Sequence, residues 1–177
     1  MNLVTKALFF FGIYVFLHFG YEATGFEVLR PVFGTSESVF EHLKIGFFAY
    51  FFASLLEFAL LRKHPLRPRG FWPSRLLATW SIPWAMASVW YLAQAVTESP
   101  LPLPLELTWA FAVTFLSGIL GGTIERGIED IWFLPGTRGV LLLLFLVSLV
   151  FFVSFTYRAP QIDLFAIPEP LHSGGGR

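Results

Sequence analysis

The sequence predicts an all-α, polytopic integral membrane protein with five transmembrane helices. The composition carries this prediction, because 55% of the residues are hydrophobic and only 14% are charged. A soluble domain carries about 25% charged residues. The mean hydropathy is +0.66, and Phe occurs 22 times among the 177 residues. So few charged side chains cannot cover a water-facing surface, and we therefore expect the lipid bilayer to be the main solvent of this chain.

Cysteine usage and net charge exclude several classes of function. The chain has no cysteine, which excludes disulfides, thiolate metal ligands and a thiol nucleophile. Its formal net charge is zero, so nothing indicates nucleic-acid binding. We expect membrane lipid to be its partner. We also expect one domain over residues 1–170 and a flexible Gly-rich tail at 171–177.

Five apolar segments are each long enough to cross about 30 Å of hydrocarbon as a helix. They are Leu3–Gly20, Ile45–Leu61, Leu76–Val96, Leu105–Gly122 and Gly139–Tyr157. The first resembles a signal peptide because Lys6 precedes an apolar run. No small-x-small cleavage pattern follows it, so we interpret it as a membrane helix.

The distribution of basic residues predicts the orientation. The short loop at 62–69 is strongly basic, and the positive-inside rule places such loops in the cytoplasm. The N-terminus is then cytoplasmic and the C-terminus outside, with eight Lys and Arg residues on the inner side and four on the outer side. The sequence therefore predicts a multi-pass protein of the cell membrane.

Four local features refine this arrangement. The connection 21–35 is too apolar for a free loop and is broken by Gly and Pro, which indicates an interfacial or re-entrant segment. Pro83 should bend the third helix. Gly118 and Gly122 in the fourth should let a neighbouring helix approach closely. At the end of that helix, Glu125 and Glu129 favour a solvated helix end over a functional acid pair.

Ionisable residues gather near the outer ends of the first two helices. His18 and Glu22 are four residues apart at the end of the first segment. Glu37, Glu41 and His42 follow at the start of the second, where Ser36 should be the helix N-cap and should place Glu37 in the first turn. Ionisable groups at membrane depth are costly and usually face a cavity or one another. We therefore predict a polar site at this position.

The residues of this predicted site form an inner set around one cavity and an outer set behind it. The predicted catalytic residues, which should converge on one cavity, are His18, Glu22, Glu41 and His42. The predicted substrate-binding or outer residues are Glu37, Lys44 and Glu57.

Three kinds of chemistry remain open for these side chains. Imidazole and carboxylate ligands suit a divalent metal such as zinc, held by His18, Glu22, Glu41 and His42. The same groups could perform acid/base catalysis, or could form a purely structural network. A further possibility is a proton or ion path, because His42 and Glu57 lie about 60° apart around one helix. No H-E-x-x-H, G-x-S-x-G or phosphate-loop motif occurs.

The polar stretches resemble those of a family of small five-span prokaryotic membrane proteins, which has no assigned activity. Members carry L-H-F-x-Y-E followed by P-V-N-E-S-V-W-E-H-L-K. The matching residues here are Leu17-His18-Phe19-Gly20-Tyr21-Glu22, Ser36-Glu37-Ser38-Val39-Phe40-Glu41-His42-Leu43-Lys44 and Glu57. Gly34 and Ser36 stand where the family tends to have Pro and Asn. The resemblance implies a five-span fold and a shared polar site.

A weaker resemblance concerns spacing alone. His18 and Glu22 are placed like the His and Glu that the emopamil-binding-protein and sterol-isomerase superfamily uses to move protons on an apolar substrate. We therefore expect a membrane-embedded enzyme that acts on a lipid-like molecule by acid/base or metal-assisted chemistry. The competing hypotheses are a transporter or ion-conducting protein and a non-catalytic membrane subunit.

Overall fold

The structure, a computed structural model, describes residues 1–61, 68–97 and 101–166, except for the side chains of Gln94 and Asp163. Within these ranges all regular structure is helical. The helices are α1 (Leu3–Thr24), α2 (Val39–Leu60), α3 (Phe71–Thr97), α4 (Leu103–Ile128) and α5 (Pro135–Tyr157), with short 3-10 turns at Glu27–Leu29 and Asp163–Phe165. The predicted all-α fold is confirmed. Most of the predicted basic loop and the predicted tail at 171–177 lie outside the described residues.

Four of the five helices are long and apolar enough to cross a membrane, namely α1, α2, α4 and α5. The predicted third span lies within α3, which has 27 residues but is not among the four. Its apolar residues alternate with polar ones such as Arg75, Thr79 and Ser81. Crossing by α3 therefore stays a prediction.

The helices run alternately between two ends of the bundle. Lys6 near the start of α1 contacts Glu57 near the end of α2 and Glu125 near the end of α4. Arg75 near the start of α3 joins the same group. We call this the Lys6 end of the bundle and the opposite one the His18 end. α3 begins at the Lys6 end, and α4 ends there. α4 therefore begins at the His18 end, and α3 runs the length of the bundle to reach it.

Close helix packing through glycine is confirmed. A Cβ atom built on Gly118 would lie 2.6 Å from the ring of Phe10, and one on Gly122 would lie 2.6 Å from Leu3. α4 therefore packs closely against α1 at these two positions, where a larger side chain would have to displace Phe10 or Leu3. Pro83 lies inside α3, which continues through it.

The start of α2 differs from the prediction, because the N-cap is Ser38 and not Ser36. The Ser38 hydroxyl accepts a hydrogen bond from the backbone N–H of Glu41 at 3.4 Å. Ser36 instead bonds the Ser38 hydroxyl at 3.2 Å. Ser38 and Glu41 have the spacing of a capping box, which favours Ser38 over Ser36. Glu37 consequently precedes the helix, and its side chain is free to reach α1.

The connection from α1 to α2 folds back along α1. α1 ends at Gly25, which has φ 64° and donates its N–H to the Tyr21 carbonyl. Further on, Gly34 donates its backbone N–H to the Leu17 carbonyl at 3.0 Å. The buried ring of Phe33 fills the space beside Gly20. The residues before α2 are thereby held against the turn of α1 that carries His18.

Candidate functional site

Two histidines and a glutamate meet at the His18 end of the bundle. The rings of His18 and His42 lie 5.1 Å apart between centroids. Glu37 lies between them, with one carboxylate oxygen 3.6 Å from His18 Nε2 and the other 3.5 Å from His42 Nε2. One ligand atom from each of the three residues lies within 4.8 Å of the other two. We call these three residues the His–Glu site.

The backbone of Ser38 orients the His42 ring. His42 Nδ1 lies 2.8 Å from the Ser38 carbonyl oxygen, which can only accept a hydrogen bond, so Nδ1 carries the proton. Nε2 of a neutral ring is then left with a lone pair directed towards Glu37. This is the arrangement that metal-binding histidines usually show, with the second ring nitrogen donating to a carbonyl or carboxylate.

His18 is held by aromatic side chains. Its ring stacks on Tyr14 at 6.4 Å and meets the edge of Phe19 at 4.6 Å. Its Nδ1 atom is buried and has no hydrogen-bond partner among the described residues. Packing therefore fixes the plane of this ring and leaves Nε2 facing Glu37.

Glu37 presents a different carboxylate oxygen to each ring, at distances that suit either ion pairs with protonated imidazoles or ligands that share one metal ion. The two nitrogen–oxygen distances of 3.5 and 3.6 Å exceed the ordinary range for a hydrogen bond, about 2.7–3.2 Å. Two ligand atoms each about 2.0–2.1 Å from a tetrahedral zinc ion lie about 3.3–3.4 Å apart. The side chain of Glu37 is 67% exposed, so the site is open on that side. Three protein ligands leave a fourth position for water or a substrate.

The structure brings together only some of the predicted site residues. His18 and His42 meet as predicted, but the carboxylate between them comes from Glu37, for which the sequence predicts an outer position. Glu22 is exposed and makes no hydrogen bond or ion pair in the part of the chain that the structure describes. Glu41 is directed elsewhere. The catalytic and metal-binding roles predicted for Glu22 and Glu41 stay predictions.

Glu41 and Lys44 form a buried ion pair beside the His–Glu site. The Lys44 side chain is fully buried and donates to both carboxylate oxygens of Glu41, at 3.0 and 2.8 Å. It also bonds the Arg30 carbonyl and the Thr156 hydroxyl, each at 3.2 Å. Lys44 therefore joins the start of α2 to the preceding connection and to the end of α5.

Glu41 in turn fixes the segment that carries Glu37. One of its carboxylate oxygens accepts hydrogen bonds from the Thr35 backbone N–H at 2.7 Å and from the Thr35 hydroxyl at 3.1 Å. Thr35 is two residues from Glu37, so this contact limits where the Glu37 side chain can lie. The capping-box spacing of Ser38 and Glu41 is the sequence signal that could have placed Glu37 ahead of the helix.

A second charged cluster, which the sequence analysis did not foresee as a unit, lies at the Lys6 end. Lys6 Nζ lies 2.7 Å from a Glu57 oxygen and 2.6 and 2.5 Å from the two Glu125 oxygens. Arg75 contacts Glu57 at 3.2 Å and Glu129 at 2.5 Å. We call these five residues the Lys6 cluster. They come from four different helices and so tie one end of the bundle together.

The predicted solvated end of α4 is wrong, because Glu125 is only 1% exposed. Gly122 lets the last turns of α4 pack against α1, and Lys6 then covers the carboxylate. Arg126 does not pair with an acidic residue of its own helix, as a solvated end would allow, but donates to the Met1 carbonyl at 3.1 Å. Glu57, which the sequence predicts as an outer residue of the site at the other end, instead pairs with Lys6 and with Arg75 near the start of α3.

A cavity of about 210 Å³ adjoins the Lys6 cluster. Charged side chains of the cluster and apolar side chains of Leu3 and Leu61 line it. A water molecule occupies about 30 Å³ in the liquid, so the cavity has room for several. Water can therefore reach the charged groups at this end.

The His–Glu site and the Lys6 cluster are separated by an apolar layer. The face of α2 between His42 and Glu57 carries Gly46 and Tyr50, both buried. Gly46 packs against Met86, and the ring of Tyr50 packs against Phe10 with 5.4 Å between centroids. The Tyr50 ring also adjoins the Lys6 cluster, at 5.0 Å from Lys6 Nζ. Close apolar packing around Gly46 thus lies between the two charged groups on this face of α2.

Neither a known protein family, nor a curated protein, nor a solved structure matches the chain.

Proposed function

We propose that this chain is a multi-pass protein of the cell membrane that binds a divalent transition metal such as zinc at His18, Glu37 and His42. The metal would act on a lipid-like molecule through its open coordination position. One observation carries the proposal: both Nε2 atoms flank the Glu37 carboxylate, at 3.6 and 3.5 Å. That spacing leaves no direct hydrogen bond but fits a shared ion.

The membrane part of the proposal rests on helix length and direction. Four helices are long and apolar enough to cross, and α3 runs between the same two ends as its neighbours. Five crossings then follow, with the N-terminus in the cytoplasm and the C-terminus outside by the distribution of basic residues.

The donor set supports zinc over the hard cations. Imidazole nitrogen suits zinc and other transition metals, whereas magnesium and calcium prefer oxygen ligands alone. Two His and one Glu with an open position is a ligand set used by hydrolytic zinc enzymes. When bound, such a metal polarises a carbonyl or phosphoryl oxygen. The chain's own part is to hold three ligands rigidly, through Ser38 for His42, Tyr14 for His18 and Glu41 for the Glu37 segment.

The apolar layer between the two charged groups favours this function over conduction. A proton or ion path along α2 would have to pass Gly46 and Ala49, which are buried among apolar neighbours. A purely structural network would explain the ion pair of Glu41 and Lys44. It does not account for two imidazole rings from different helices meeting at one carboxylate that is 67% exposed.

The test is zinc binding by the purified protein, measured by equilibrium dialysis and elemental analysis. We expect one zinc per chain, lost in His18→Ala and His42→Ala and weakened at least tenfold in Glu37→Gln. Glu22→Gln is the matched control, since this carboxylate is exposed, lies on the same helix as His18 and bonds to neither ring. Absence of zinc binding, or equal weakening by Glu22→Gln and Glu37→Gln, would overturn the proposed site.

A further inference from the structure

The depth of the His–Glu site follows from counting residues along two helices. Eighteen residues separate Lys6 from Thr24 on α1, and eighteen separate Val39 from Glu57 on α2. At 1.5 Å per residue each stretch is about 27 Å long, close to the hydrocarbon thickness of about 30 Å. When the Lys6 cluster lies at one border of the hydrocarbon, the end of α1 and the start of α2 therefore lie at the other.

The two histidines lie inside that second border. His18 precedes the end of α1 by six residues, which corresponds to about 9 Å, and His42 follows the start of α2 by three residues, about 5 Å. The two histidines consequently lie roughly 5–9 Å below the border, among the upper acyl carbons, whereas Glu37, two residues before α2, lies at the border beside the lipid glycerol backbone.

The turn after α1 marks the border itself. Phe26 and Val28 are 60% and 88% exposed, although they follow directly on a membrane helix. Glu27 between them accepts a hydrogen bond from the Tyr21 hydroxyl at 2.5 Å. A short segment that exposes large apolar side chains beside polar ones is suited to the membrane interface.

The side of α1 next to the site is also apolar and open. Phe16 and Phe19 are 65% and 55% exposed, and the Phe19 ring contacts His18. These rings are suited to acyl chains.

From this arrangement, and resting on the proposed metal site, we infer that the His–Glu site opens sideways into the lipid leaflet. A phosphate or ester oxygen of a membrane lipid would then take the open metal position, with its acyl chains along Phe16 and Phe19. The substrate class is thus the headgroup-proximal end of a membrane lipid. A free phosphate offers the same oxygen chemistry but would have to arrive from water.

Fluorescent labels on single cysteines test the depth, and the cysteine-free chain needs no background changes. Phe19→Cys reports on the site, Val28→Cys on the border and Val147→Cys, in the middle of α5, on the bilayer centre. Reconstituted in phosphatidylethanolamine–phosphatidylglycerol vesicles, the label at 19 should be quenched most by nitroxides high on the acyl chain. The label at 28 should be quenched most by headgroup nitroxides and the label at 147 by nitroxides at the chain end. Stronger quenching of the label at 19 by aqueous iodide than by any lipid nitroxide would overturn lateral opening.

The outcomes separate this inference from the proposed function. If lipid nitroxides quench the label at 147 while aqueous iodide quenches the label at 19, the protein crosses the membrane but the His–Glu site does not face lipid. If aqueous iodide also quenches the label at 147, the proposal that the helices cross the membrane is disproved.

A second measurement identifies the source of the phosphate. Paramagnetic cobalt(II) bound to the protein should broaden the phosphorus NMR signal of vesicle phosphatidylglycerol, and Glu37→Gln should abolish the effect. Broadening of added inorganic phosphate without broadening of the lipid signal would overturn the substrate class. If the protein fails to bind cobalt while lipid nitroxides still quench the label at 19, the site faces lipid but the proposed metal binding is disproved.

Discussion

The carbonyl oxygen of Ser38 lies 2.8 Å from His42 Nδ1, and the hydroxyl of the same Ser38 caps the helix that carries His42. One residue therefore sets both where α2 begins and which nitrogen of His42 faces Glu37. The two contacts use different atoms of Ser38, so they can be separated by mutation.

Ser38→Ala should destabilise the protein while retaining zinc binding. It removes the capping hydroxyl, which is worth about 1 kcal/mol, but leaves the backbone carbonyl that orients His42. Thermal unfolding in detergent and zinc dialysis measure the two effects. Ser36→Ala is the matched control and should cost less, because Ser36 does not cap the helix. A larger loss of thermal stability in Ser36→Ala than in Ser38→Ala would show that Ser36 is the N-cap.

Lys44→Met should strongly destabilise the protein, because it leaves the buried Glu41 carboxylate without its cation. Removing one partner of a buried pair costs about 3–5 kcal/mol. The double variant Lys44→Met with Glu41→Gln should recover part of that loss, since no unpaired charge remains. Denaturant or thermal unfolding of the single and double variants measures the coupling. Strictly additive losses would show that the two side chains act independently.

Lys6→Met should likewise destabilise the Lys6 end, because Lys6 separates the carboxylates of Glu57 and Glu125. A loss of about 3–5 kcal/mol is expected for a buried partner. Glu125→Gln in the same chain should restore part of it by removing one of the two facing charges. Arg126→Gln changes an exposed residue next to Glu125 and should have little effect on unfolding. An equal loss in Arg126→Gln would contradict the buried cluster as the cause.

The orientation predicts which loops an impermeant thiol reagent reaches in intact cells. Arg69→Cys, on the predicted cytoplasmic side, should be labelled only after the cells are opened. Leu101→Cys, on the predicted outer side, should be labelled without opening them. The chain has no cysteine of its own, so each variant reports one position. The opposite labelling pattern would reverse the topology derived from the basic residues.

The sequence by itself determined the class of the protein and the two histidines of the site. A chain with 14% charged residues cannot cover a soluble domain, and helices satisfy their backbone hydrogen bonds internally in lipid. The positions of His18 and His42 at facing ends of consecutive helices also follow from the sequence, because a short connection brings those ends together. The glycines of α4 predicted a close helix contact for a similar local reason.

Only the tertiary structure decided which carboxylate lies between the histidines and which ion pairs the other charged residues form. Helical period shows which side chains share a face of a helix, but not which faces of different helices meet. Lys6 bonds Glu57 and Glu125 across sequence separations of 51 and 119 residues. No local sequence pattern could therefore predict this cluster. Glu41 does not reach the histidines because its carboxylate is bonded to Lys44 and Thr35. Glu37 lies between the histidines instead, because α2 begins at Val39 and leaves Glu37 ahead of the helix.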